Sequence, residues 1–311
     1  MAFGSRWYMN LSARGASDFV GYSLCTMAAD RPYDPFSKVF DQVFEVGPEP
    51  GNLAFFGRDV LRGLTDGIDE FVALTQERWG RRRYHVIGPV LLGCSPWITD
   101  RDLIDAIRKL SGACIVLSKR PKSPGDTLAW QHLRRVNNET RGVPASAFPI
   151  LGGMLPKEDG KPVVVGPWDK LEDESVLLST FRTIGRRKLS GPGNPPIAHA
   201  KLALLGHLWW ADEDSLGYPA DILGFRPLRL WISSANFTLP SRRSLEFGFW
   251  TEDEALLDGA KTFLSQLMAS SEELDAFSDA PEPELASVQF DDAAFADYFR
   301  EFGGWDDEED E

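Results

Sequence analysis

Cysteine and histidine are the scarce residues of this chain, three and four among 311. Cys25, Cys94 and Cys114 are too few and too scattered to form a zinc cluster. They also build no disulfide framework, which points to a reduced, cytoplasmic setting. A long hydrophobic run is missing as well. No stretch of eighteen apolar residues exists, so no membrane span is expected. The opening residues, Met1 to Tyr8, lack the apolar core of a signal peptide. No internal repeat is found, and nothing in the residue pattern calls for a metal or cofactor.

Basic charge is scarce only in one place. The net charge is −14, but residues 251–311 hold 20 acidic and 2 basic side chains. Residues 1–250 hold the other 27 acidic and 31 basic ones, a balance of +4. The body is mildly basic, and one segment makes the whole acidic. The total therefore does not exclude a polyanionic partner such as DNA or RNA.

What is present is a core: 43% of residues are apolar, with ten tryptophans and twenty phenylalanines. Three regions are expected: a helical and irregular N-terminal extension (1–83), a folded domain (84–270) and an acidic, disordered C-terminal tail (271–311). In the extension, Val60, Leu61, Leu64, Ile68, Phe71, Val72 and Leu74 fall close to a helical stripe that ends at Trp79-Gly80. Tyr84–Leu92 reads as a buried strand. Thr99 with Asp102 suggests a capping box, followed by a helix through Leu103, Ile104, Ile107 and Leu110. Ala113–Leu117 is the next strand, so the unit is a parallel crossover and the fold class α/β. Further strands are expected at Phe148–Leu151, Pro162–Val165, Leu177–Ile184, Ile197–Leu205, Leu228–Ser234 and Leu245–Thr251, and an amphipathic helix at 254–270. Phe290, Phe295, Tyr298 and Phe299 suit a short docking helix within the tail.

Chemistry gathers at His199-Ala200-Lys201. On a strand, period-two geometry sends His199 and Lys201 to one face, and Ser234 and Asn236 share a face by the same rule. If those strands are neighbours, a cation, an amide and a hydroxyl converge as phosphate oxygens require. A neutral imidazole beside them is a nucleophile for phosphorus, and Glu246 on the next strand is placed to bond its other ring nitrogen. His-x-Lys alone recurs in many unrelated strands; only the set of five is specific.

That set resembles the hallmark of the phospholipase D superfamily, a His-x-Lys followed by a Ser-x-Asn strand and a Glu. Ile232-Ser-Ser-Ala-Asn-Phe-Thr238 and Ser244-Leu-Glu246 carry the likeness, and Ser95-Pro-Trp-Ile-Thr-Asp100 resembles the family's opening strand-to-helix turn. The resemblance covers residues 84–270. It implies a mixed β-sheet flanked by helices on both faces, with one catalytic motif per chain. It also implies metal-independent, two-step phosphoryl transfer through a phosphohistidine. In that scheme His199 is the nucleophile or the acid/base, Lys201, Ser234 and Asn236 clamp phosphate, and Glu246 orients the histidine. Two histidines are needed and only one His-x-Lys exists, so a homodimer is expected to bring two copies of His199 across one groove.

Two features depart from the family pattern. Gly206 stands where an Asp is usual, five residues after the Lys, and an insertion rich in Trp and acidic residues separates Lys201 from Ser234. That insertion reads as a loop or hairpin at the rim of the site. Trp209-Trp210 suits stacking on a base or lipid, or simple packing, and His207 suits a packed or rim position. Arg81–Arg83, Arg186, Arg187 and Lys188, and Arg242 and Arg243 fit either a phosphate-tracking surface or solvated faces. The leading expectation is a nuclease acting on DNA or RNA; by analogy such nucleases often serve bacterial defence or DNA restriction. A phospholipase or transphosphatidylase acting on lipid, and a non-catalytic nucleic-acid-binding subunit of a larger complex, are the alternatives. The acidic tail suits solubilisation, docking on a protein partner, or covering its own groove. Under the last reading, deleting residues after about 280 should raise activity.

Overall fold

The computed structural model describes residues 41–47, 51–79, 85–119, 126–169, 176–185, 198–213, 219–276 and 278–302. The first surprise lies in the expected N-terminal extension. Strands β1 (Gln42–Glu45) and β2 (Leu53–Gly57) pair antiparallel there. Through β2 they join the main sheet, so these strands belong to the same unit as the residues after 84, a unit that spans Asp41–Glu311. Each is only four or five residues long, which leaves little alternation for a sequence pattern to show. Helix α1 (Val60–Trp79) follows as expected, burying Val60, Leu61, Leu64, Ile68 and Val72 of that stripe.

The crossover is also as expected. Strand β3 (Val86–Ser95), helix α2 (Arg101–Ile107) and strand β4 (Gly112–Ser118) form a parallel unit. The helix cap differs: Asp100, not Thr99, accepts from Leu103 N at 2.9 Å. Helix α3 (Asp126–Glu139) comes next, then short strands β5 (Val143–Pro144), β6 (Met154–Pro156), β7 (Val164–Val165) and β8 (Leu177–Leu178), and then β9 (Phe181–Ile184). Phe148–Leu151 is no strand. It is a turn, and its apolarity serves to bury Phe148 against Phe225 (centroids 5.6 Å apart).

Strands β10 (Leu202–Glu213), β11 (Pro219–Ser233) and β12 (Glu246–Thr251) complete the centre. The insertion between Lys201 and Ser234 is the far half of the β10–β11 hairpin, with Glu213 opposite Pro219. A strand of twelve residues spans about 40 Å. The tip therefore lies at the opposite end of the sheet from Lys201, not at the rim of the site. Trp209 packs over Gly224, its opposite number, and Trp210 meets His85 edge-on at 4.6 Å. Packing, not stacking on a substrate, accounts for both. His207 is packed too, its ring 5.0 Å from that of Phe71 and its Nε2 3.1 Å from Thr75 Oγ1.

After β12 comes helix α4 (Glu254–Ala269), capped by Asp253. The nine-stranded mixed sheet has the order β1-β2-β12-β11-β10-β3-β4-β9, closed by β13 (Glu272–Glu273). Within this sheet the β3–β4 and β4–β9 pairs are parallel and the other described pairs antiparallel. Strand residues alternate between two apolar clusters. Leu91, Ile115, Ala203 and Trp231 pack with α1, α2 and α3, while Leu92, Cys94, Val116 and Leu204 pack with α4. Burial pushes the thiols of Cys94 and Cys114 up to about 12, as suits inert core residues.

The segment expected to be disordered is ordered through residue 302. Besides β13 it forms β14 (Leu285–Ser287) on β6, β15 (Gln289–Phe290) on β7, and helix α5 (Asp292–Phe302). Trp168 anchors α5 edge-on to Tyr298 at 4.7 Å. Two of the segment's carboxylates neutralise buried cations elsewhere in the chain. Glu272 faces Lys119, with side chains 3% and 1% exposed, and Glu284 pairs with Arg182. Among the described residues no helix is long and apolar enough to cross a membrane.

Candidate active site

The site occupies one edge of the sheet, where β3 and β4 end, β10 begins, β11 ends and β12 begins. Crevices at the carboxyl ends of parallel strands are the usual place for ligands in α/β sheets. His199 and Lys201 lie just before β10, whose first residue is Leu202, so the expected strand Ile197–Leu205 starts late. Lys201 still pairs with β11, accepting from Ser233 N at 3.1 Å. Ser118, at the end of β4, ties the approach by donating to Ala198 O at 2.9 Å.

His199 is exposed, while Lys201 is only 9% exposed. The Lys201 ammonium lies 3.2 Å from Nδ1 and 3.4 Å from Nε2 of His199, and it donates toward whichever nitrogen carries the lone pair. A phosphate oxygen that took over this ammonium would release that lone pair for attack. Burial lowers the Lys201 ammonium below the ordinary lysine value, and the Glu246 carboxylate opposes the shift. The sign of a pH effect follows. Phosphate binding should be lost, as pH rises, at a lower pH than free lysine would give. Glu246→Gln removes the opposing anion, so the alkaline limb of kcat/KM should move to still lower pH. An unmoved limb would contradict the link.

Ser234 and Glu246 meet across β11 and β12: the Ser234 hydroxyl donates to Glu246 Oε2 and accepts from Phe247 N at 3.0 Å. Among the described residues Glu246 makes no bond to His199. The expected orienting role is therefore not seen within one chain; Glu246 instead holds Ser234 and lies within electrostatic reach of Lys201. Asn236 is half-buried, and its Oδ1 is buried without a hydrogen-bond partner. An amide oxygen only accepts, so any hold on a phosphate oxygen falls to the donor side of this amide, Nδ2. Its loop is fixed from beneath. Phe237 O accepts from Thr99 N (2.9 Å) and Asp100 N (3.1 Å), and Ser233 Oγ accepts from Ala235 N at 2.8 Å.

The basic residues divide. Arg186, Arg187 and Lys188, like Arg81–Arg83, lie outside the described residues. Arg243 is exposed. Arg242 is not a surface cation at all: its guanidinium reaches both oxygens of Asp100 and lies 2.6 Å from Asp59 Oδ1. The hydrogen bond to Asp100 holds it more firmly protonated than an ordinary arginine, whereas burial pushes the Asp59 carboxyl up against the pull of Arg242. The expectation that Arg242 tracks phosphates is corrected on this point, because its donors already face internal carboxylates. No local signal could have shown this, since Asp100 lies 142 residues earlier in sequence.

Gly206 explains the missing Asp. At a bulge between β10 and β11, a Cβ there would sit 2.2 Å from Arg226 O and 2.6 Å from the Phe225 ring. No side chain fits. Restoring the family's residue by Gly206→Asp should destabilise the protein by about 1–3 kcal/mol through overpacking. Thermal melting would read this as a lowered Tm, and an unchanged Tm would show that the strand can shift.

No protein-family model matches the chain, and no curated protein matches it. Among solved structures it is similar to NucT from Helicobacter pylori, at 13% identity and a TM-score of 0.38, covering 71% of this chain and 98% of that one. It is also similar to Nuc from Salmonella typhimurium, a phospholipase D family member, at 10% identity and a TM-score of 0.35, covering 71% and 97%. The resemblance of this chain to the phospholipase D superfamily is carried by the motif of His199, Lys201, Ser234, Asn236 and Glu246.

Proposed function

We propose that this protein is a phospholipase D-like phosphodiesterase that cleaves DNA or RNA without a metal, through a phosphohistidine intermediate. The observation that carries this reading is that His199 meets Lys201, and Ser234 meets Glu246 within electrostatic reach of that Lys201, at the ends of three adjoining strands, with Asn236 two residues beyond Ser234. Lys201 and Asn236 bind the non-bridging phosphate oxygens, aided by Ser234. A ring nitrogen of His199 attacks phosphorus and the P–O bond to the leaving alcohol breaks, the alcohol taking its proton from a second histidine. That histidine then deprotonates water, which attacks phosphorus and breaks the P–N bond. The products are a phosphomonoester, the alcohol and free His199.

The second histidine is His199 of another copy, since the chain contains only one His-x-Lys; the acting form is a homodimer. The basic balance of residues 1–250 supports nucleic acid over lipid as substrate. The test is incubation with single- and double-stranded DNA and RNA, and with phospholipid vesicles, all in EDTA. Cleavage of nucleic acid by wild type but not by His199→Ala is expected. Cleavage only of lipid, only with added metal, or equally by the variant would contradict the reading.

A further inference from the structure

We propose that Arg242 is a positioning residue for the reaction proposed above: its guanidinium, gripped by Asp100 and Asp59, fixes the segment that runs from the phosphate clamp to Glu246. The segment 234–246 carries three of the five site residues and has little regular structure, only the turn Leu239–Arg243. Asp100 attaches it to the body at two points, beside bonds to Ser95 and Thr99. The backbone of Asp100 donates to Phe237 O, next to Asn236, while its carboxylate receives the Arg242 fork three residues before Glu246's neighbour Leu245. The same carboxylate caps α2 through Leu103 N. Asp100 therefore holds both ends of the loop against one helix terminus.

Asp59 completes the grip from the other side. It lies in the left-handed region (φ 56), where its backbone N donates to Arg242 O at 3.1 Å and its carboxylate meets Nη1. A non-glycine residue in that conformation persists when its surroundings over-determine it. Asp100 is 1% exposed and the Arg242 side chain 13% exposed, so water does not loosen the pairing. A bidentate fork fixes orientation as well as distance, and a lysine at this position would supply the charge alone. Displacement of reacting groups by about 1 Å can cost on the order of a hundredfold in rate.

The test uses the full-length chain with Arg242→Lys, Asp100→Asn and the double variant. Both singles are chosen to fold: lysine keeps a cation between the two carboxylates, and asparagine keeps the helix cap. On the nucleic acid that wild type cleaves in EDTA, each single should lower kcat by about 10- to 100-fold. KM should stay within about twofold, and the double variant should be no worse than the weaker single. Hydrogen exchange should quicken in 234–246 and not in α4 or β4. A raised KM at unchanged kcat, with a shallower salt dependence, would show Arg242 touching substrate and overturn the proposal. A lowered Tm with unchanged kcat would reduce it to a scaffold. Absence of wild-type cleavage would sink the functional reading instead; exchange then decides for Arg242, and unchanged exchange in 234–246 overturns it.

Discussion

Replacing His199 by alanine is expected to lower phosphodiester cleavage by at least ~10³-fold while leaving the fold intact. The two halves of that expectation have different causes. His199 is exposed and, among the described residues, makes no hydrogen bond except with the Lys201 ammonium, so its removal should change stability by no more than about 0.5 kcal/mol. Its chemistry has no substitute nearby. His207 is held among Phe71 and Thr75, several residues along β10, and His85 faces Trp210 toward the far end of that strand. In the proposed dimer the variant loses nucleophile and acid together, because one residue supplies both. Steady-state rates and thermal melts of the same preparation would separate the two effects. A rate within tenfold of wild type at full stability would remove His199 from the mechanism.

The second large effect concerns the acidic segment. Glu272→Ala is expected to cost about 3–5 kcal/mol, because it strands a buried ammonium. Lys119 is 1% exposed, and its remaining partners would be Ser278 O at 3.2 Å, Ser278 Oγ at 3.2 Å and Ala280 O at 2.9 Å. Those neutral acceptors hydrogen-bond the charge but do not balance it. Asp275→Ala is the matched control. Its partner Arg134 is 47% exposed and Asp275 itself 48%, so the loss should stay below about 1 kcal/mol. Urea unfolding of both variants gives the comparison. Equal and small losses would mean that the segment is not integrated into the fold. Deletion after residue 270 or 280 is then expected to destabilise the protein, whereas the self-covering reading, one of three for the tail, expected deletion after about 280 to activate it; Glu284, needed by buried Arg182, goes with either deletion.

These two predictions mark where a sequence could and could not be read. The His199 constellation could be proposed from the sequence because its information is local: a two-residue spacing, a Ser-x-Asn and a following Glu each fit within a few positions. The α1 stripe and the β3–α2–β4 crossover were legible for the same reason, since periodicity is a short-range property. The acidic segment was misread because its composition resembles a solvated tail, while the cations it neutralises sit at Lys119 and Arg182, far back in the chain. Arg242 was misread likewise: one basic pair in sequence splits into a buried fork and an exposed neighbour once Asp59 and Asp100 arrive. Strands β1 and β2 were missed because four or five residues carry too little pattern. The hairpin insertion was recognised as a hairpin but placed at the wrong end, since spacing gives length and not direction.

The central claim is that a nitrogen of His199 bonds to phosphorus, and trapping that bond tests it most directly. A single-turnover reaction with substrate labelled on the transferred phosphoryl group, stopped in alkali that preserves a phosphorus–nitrogen bond, should leave label on protein. After digestion the label should map to the peptide containing His199 and be absent from His199→Ala. Label on another residue, or turnover in EDTA with no label on the protein, would contradict the account.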